Sequence, residues 1–254
     1  MNIINSEIFR LIDTDTRALL LRKEIDREFT RDFIKLNVIY SNFYYLKETF
    51  PELIVKINTQ FSRLVNRLKI PNLEILGLEL DFYTNLRLGN MDLIAELSDQ
   101  LDKKIIQVED IRTKAKYYRM KSEFHILKKE HEALFFLNKS RNIYRELGEI
   151  QNYFDLSCGL ITHYIGFNKI HEAKKICIEL YNEKNIFKFK LLLLMFYNNY
   201  SIVLSREGNL SQAEKFIKKA IEISKKLSLP VYYNRLQGNP VSYTHLTLPT
   251  KRIV

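Results

Sequence analysis

Glycine and proline are scarce in this chain: 7 and 5 among 254 residues. Few breakers argue against a many-turned β fold and for long helices joined by short turns. Cysteine is rarer still. Cys158 and Cys177 make neither a CxxC pair nor a zinc pattern, and read as small buried hydrophobes of a reducing compartment. Long apolar runs are missing too. In FKFKLLLLMFYNNY the unbroken apolar core covers only residues 191–197, far short of the roughly 20 residues that span a bilayer. MNIINSEIFRLIDTD has no basic start and no apolar signal core. The expectation is a cytoplasmic protein without a membrane partner.

What is present is a core and a positive charge. The chain is 46% hydrophobic and 28% charged, enough to fold rather than stay disordered. Its net charge is +10. Such an excess can attract nucleic acid, but the lysines are spread along the chain. The local group Lys215, Lys218, Lys219, Lys225 and Lys226 reads as a solvated helix face, so nucleic acid is an unlikely partner and a basic helical nucleic-acid binder is the alternative reading.

REGNLSQAEKFIKKA sets the pattern. A turn at Gly208-Asn209 is followed by Ala213 and, seven residues on, Ala220. Ala173 lies 40 residues before Ala213, and Ala133 another 40 before that. Ile94, after Gly89-Asn90, and Ile54 continue the series at 39 and 40 residues. Ser140 and Leu180 stand where Ala220 stands, and Lys128 where Gly208 does. Each unit reads as an apolar helix A, a short turn and an amphipathic helix B. A fixed period of that kind predicts an all-α solenoid, because one pair cannot bury its apolar face alone. Helices are expected near residues 6–12, 16–29, 32–47, 51–68, 72–88, 91–106, 112–127, 131–147, 153–165, 170–182, 188–205 and 210–227, with Pro51 at a helix start and Asn90 and Asn209 as N-caps.

Tyr197, Tyr200, Ser201, Leu204, Gly208, Ala213, Ile217 and Ala220 together resemble the tetratricopeptide repeat family. That family's usual unit is about 34 residues, and the longer period resembles its bacterial regulator and signalling members. The resemblance implies a right-handed α-solenoid of about five to six repeats over residues 1–230. It also implies a protein or peptide partner lying along the A helices. Carried onto matching positions, the groove set is Glu79, Tyr83, Tyr118, Ser122, His125, Thr162, Asn198, Ile202 and Arg206. Asn199 falls where some members grip a bound peptide, while Arg119 and Gly159 at the neighbouring copies leave a full carboxylate clamp unsupported. The family likeness further implies the sensory N-terminal part of a signalling protein whose output is a diguanylate cyclase, a histidine kinase or a transcriptional regulator.

The end of the sequence departs from the period. Residues 241–250, VSYTHLTLPT, resemble a translated sequencing-library adapter. Residues 231–240 are then expected to begin a truncated continuation, with residues 241–254 non-native.

No nucleotide-binding or hydrolase motif occurs, so no catalytic residue and no cofactor is expected. His131 and His171 occupy equivalent repeat positions at exposed helix starts, too far apart for a metal pair, and no metal is expected. Glu130 and Glu132 read as helix-start charges. The aromatic cluster YSNFYYLKETF reads as helix packing. The oligomeric state stays open.

Overall fold

The structure, a computed structural model, describes residues 27–49, 53–68, 73–229, 233 and 236, without the side chains of Phe29, Ser41 and residues 44–49. The described residues are all-α, with no strand among them. Ten helices follow one another: α1 Arg27–Thr49, α2 Ile54–Leu68, α3 Glu74–Leu88, α4 Met91–Ile105, α5 Ile111–Leu127, α6 Glu132–Glu146, α7 Ile150–Gly166, α8 Ile170–Asn182, α9 Lys190–Arg206 and α10 Leu210–Lys226. None is long and apolar enough to cross a membrane.

The chain divides into two compact units, residues 1–136 and 137–254. In the first, each helix from α1 to α5 packs on the next, and α3 also meets α5. Phe33, Phe43, Phe61, Leu73, Leu76 and Phe82 are buried in its core. In the second, α8 and α9 both pack on α7, and α10 packs on α9. Phe154, Leu160, Phe196 and Val203 are buried there.

The forty-residue rhythm recurs in the burial. Ile54, Ile94, Ala133, Ala173 and Ala213 are each at most 1% exposed. So are Phe61, Leu101, Ser140, Leu180 and Ala220, seven residues further on. Two turns of helix separate the members of each pair, so both face the same way. Burial at this register is common to all five B helices, whereas side-chain size is not.

The turns repeat as well. Gly89, Lys129, Asn168 and Gly208 have φ of 74°, 58°, 56° and 81°. Gly208 N–H donates to the Ser205 carbonyl at 3.0 Å and Asn209 N–H to that of Leu204 at 2.9 Å. This is the paired bonding of a Schellman motif, which satisfies the last helical carbonyls through one left-handed residue. Lys129 and Asn168 make the same two bonds with side chains that visit this region less readily than glycine. Gly148 and Ser228, 80 residues apart, close α6 and α10 in the same way.

Several sequence expectations need correction. The left-handed residue of the turn between α5 and α6 is Lys129, one place after Lys128. The break expected between residues 29 and 32 does not occur, because α1 runs unbroken through Thr30 and Arg31, with neither glycine nor proline to stop it. Asn209 caps α10, its Oδ1 accepting from Gln212 N–H at 3.3 Å. Asn90 stands at the N-cap position of α4 but makes no side-chain capping bond: its side-chain amide donates instead to Asn85 Oδ1 at 2.9 Å. A 3-10 turn, Lys184–Lys188, holds α9 back to Lys190. Helix 6–12, most of 16–29, Pro51 and residues 241–254 lie outside the described residues. Within YSNFYYLKETF, Tyr40 and Phe43 are buried, as packing requires.

Candidate functional surface

The A helices, α1, α3 and α5 in the first unit and α7 and α9 in the second, carry the polar positions singled out by the period. Each is long enough to present both a packed face and a second, more polar one.

In the first unit, Glu79 of α3 is 2% exposed. A carboxylate so placed is tolerable only with partners. Tyr40 of α1 donates its hydroxyl to Glu79 Oε2 at 2.5 Å. Lys116 Nζ of α5 lies 3.7 Å from Glu79 Oε1 and donates to the Tyr40 hydroxyl at 2.6 Å. One charge thereby ties three A helices together. One turn along, Tyr83 OH and Arg119 Nε both donate to Glu123 Oε1, at 3.4 and 3.3 Å. Ser122 is fully buried, and its hydroxyl donates to the Arg119 carbonyl at 2.6 Å. Tyr118 and His125 are half-buried and stack on the same ring, Phe136, with centroids 6.3 and 5.0 Å away.

In the second unit, Asn199 of α9 is buried and faces α7. Its Nδ2 donates to the Cys158 carbonyl at 3.1 Å and to Thr162 Oγ1 at 2.9 Å. Thr162 donates in turn to that same carbonyl at 3.0 Å. Arg206 Nη1 donates to Asn168 Oδ1 at 3.3 Å and to the Ile165 carbonyl at 3.5 Å. Thr162 and Arg206 are exposed, while Asn198 and Ile202 are half-buried.

The ten proposed groove residues therefore divide. Glu79, Tyr83 and Asn199 spend their polar atoms on neighbouring helices and serve as mortar, while Ser122 is buried and bonds back to its own helix. Thr162, Asn198, Ile202 and Arg206, on α7 and α9, are exposed or half-buried, and Tyr118 and His125 are half-buried against Phe136 in the first unit. Sequence spacing gave no sign of Tyr40 or Lys116 as partners of Glu79, because those contacts span 39 and 37 residues between helices whose rotation no repeat pattern specifies.

A second buried network lies in the other unit. The Arg141 guanidinium of α6 donates from Nε to Ser157 Oγ at 2.8 Å and from Nη2 to Tyr153 OH at 3.1 Å, and also pairs with Glu179 of α8. Tyr153 OH donates to Glu179 Oε1 at 2.9 Å, and Arg145 reaches the same oxygen at 2.9 Å. Burial pushes the Tyr153 hydroxyl up, so it stays a proton donor at neutral pH. His163 is lowered by burial and stays neutral there.

Cys158 and Cys177 are both free and buried. Burial, followed by the nearby charges of Asp155 and Cys177, raises the Cys158 thiol well above its ordinary value. Burial and then Glu207 raise Cys177. Thiolate is the reactive form, so both should resist a thiol reagent in the native protein at neutral pH and react once guanidinium unfolds it. Prompt native reaction at either would contradict this packing.

No protein-family model matches the chain, and no curated protein matches it.

Proposed function

We propose that the chain is a protein- or peptide-binding scaffold of tetratricopeptide-repeat type, a right-handed α-solenoid of about five to six repeats. The observation that carries the reading is the burial register. Ten positions in five B helices, set 39 or 40 residues apart, are all but sealed from solvent. Four left-handed turns keep the same step. Repeats of this kind bury their apolar faces against neighbours and offer their A helices to a ligand. Its role is regulatory: binding through these helices informs an output domain of the signalling kinds named above.

Within the second unit, the binding stretch is Thr162, Asn198, Ile202 and Arg206. An exposed threonine, an amide, a half-buried aliphatic and a guanidinium suit an extended peptide, whose backbone needs hydrogen bonds and whose side chains need an apolar seat. A random-peptide phage library selected on the intact protein tests this. Selected peptides should lose affinity by about tenfold or more with Ile202→Ala or Arg206→Ala, as central contacts do. Lys218→Ala, on exposed α10, should leave binding unchanged. Peptides indifferent to both groove substitutions would overturn the proposed surface.

A further inference from the structure

The end of α5 and the start of α6 bring a histidine together with two acids that the repeat reading did not connect to it. His125 closes α5, Glu130 lies in the turn and Glu132 opens α6. One donor atom from each lies within 4.8 Å of the other two. We infer that His125, Glu130 and Glu132 form a binding site for a borderline divalent cation of the zinc kind.

Ring packing and the turn's backbone position the first two donors. The His125 ring is clamped, stacking on Phe136 at 5.0 Å with 19° between planes and meeting Phe124 edge-on at 5.5 Å. A ring so held has little freedom to lose on binding a metal. The left-handed Lys129, φ 58°, folds the chain back so that Glu130 N–H donates to the His125 carbonyl at 2.9 Å. That backbone bond sets Glu130 Oε2 2.6 Å from His125 Nδ1. Glu132, exposed in the first helical turn, aims a second carboxylate at the same place from the other helix.

The donor set selects the ion. Calcium and magnesium favour all-oxygen sites, whereas an imidazole beside carboxylates suits zinc and its neighbours. A neutral imidazole and two carboxylates also balance a double positive charge. The 2.6 Å contact between Nδ1 and Oε2 is that of a hydrogen bond. A tetrahedral zinc with bonds of about 2.0–2.2 Å needs those atoms somewhat further apart, a shift within reach of the Glu130 side chain, 40% exposed. Three protein ligands leave the fourth position to water. The metal takes the proton's place and fastens the last turn of α5 to the first turn of α6.

The test uses the intact protein, stripped with a chelator and then titrated with Zn2+ by calorimetry and with Co2+ by visible absorption. We expect one equivalent to bind, with a tetrahedral cobalt band. His125→Ala and, independently, the exposed Glu132→Gln should each weaken binding by about tenfold or more, with helical circular dichroism unchanged for Glu132→Gln. His131→Ala, in the same turn but outside the cluster, should bind like the parent. No one-equivalent binding, undiminished binding by both His125→Ala and Glu132→Gln, or loss on His131→Ala alone overturns the inference.

Discussion

Phe196→Ala should cost about 3–5 kcal/mol of unfolding free energy, the range for truncating a buried phenylalanine. Phe196 is fully buried in α9. Its ring meets Phe154 of α7 at 6.1 Å and 63°, and lies 5.6 and 5.7 Å from Tyr197 and Tyr200. Removing it opens a void between two A helices, which rigid neighbouring rings cannot readily refill. Denaturant unfolding followed by circular dichroism measures the loss. Cys158 and Cys177 supply a local readout, since both lie in helices of the same unit and react only when it opens. Phe196→Leu should recover much of the stability. A loss below about 1 kcal/mol for the alanine variant would mean that the ring is not part of the core.

The second large effect belongs to Glu179. Glu179→Gln leaves the Arg141 guanidinium, 7% exposed, facing only Ser157, Tyr153 and a neutral amide. Stripping a buried charge of its counter-ion costs up to about 3–5 kcal/mol, but Glu179 is itself 34% exposed, so water screens part of the loss and about 2 kcal/mol is expected. The cost should depend on pH. Burial alone raises the Glu179 carboxyl, but Arg141, the hydrogen bonds from Tyr153 and Arg141, and Arg145 outweigh it and hold the group below its ordinary value. A carboxyl lowered by folding stabilises fully above its unfolded value, about 4.3 for glutamate, and loses that contribution as pH falls through the folded one. The stability gap between parent and Glu179→Gln should therefore be widest near neutrality and close on acidification. Replacing Arg141 and Glu179 together by Met and Leu should cost less than the two single changes summed. A gap that persists unchanged into strong acid would assign the effect to shape rather than charge.

Helix content was legible in the sequence because it rests on local signals. Scarce glycine and proline, and apolar periodicity, placed most helix ends within a few residues of where they fall. The B-helix register was legible for the same reason, through the spacing of Ala133, Ala173 and Ala213. Ile54, Ile94 and Phe61 are sealed equally well at equivalent places, so the register demands burial and lets local helix spacing choose the volume. Left-handed turns at Lys129 and Asn168 were hard to see, since the backbone bonds that hold them leave no glycine behind. The groove set was legible only as positions on helices. Which of its side chains face a neighbouring helix depends on helix rotation and on distant partners such as Tyr40 and Lys116. The approach of His125 to Glu130 was hidden for a simpler reason: histidines were compared with histidines one repeat away, not with the acids across the adjoining turn.

Within each unit, the main packing is between helices next or next but one along the chain. Little entropy is lost in bringing such segments together. Among the described residues, no strand waits for a distant mate. Where two bends keep the forty-residue step, as Gly89 and Lys129 do, a copied block of that length would carry a whole helix pair with its own buried register, a simple way for the gene to lengthen the chain.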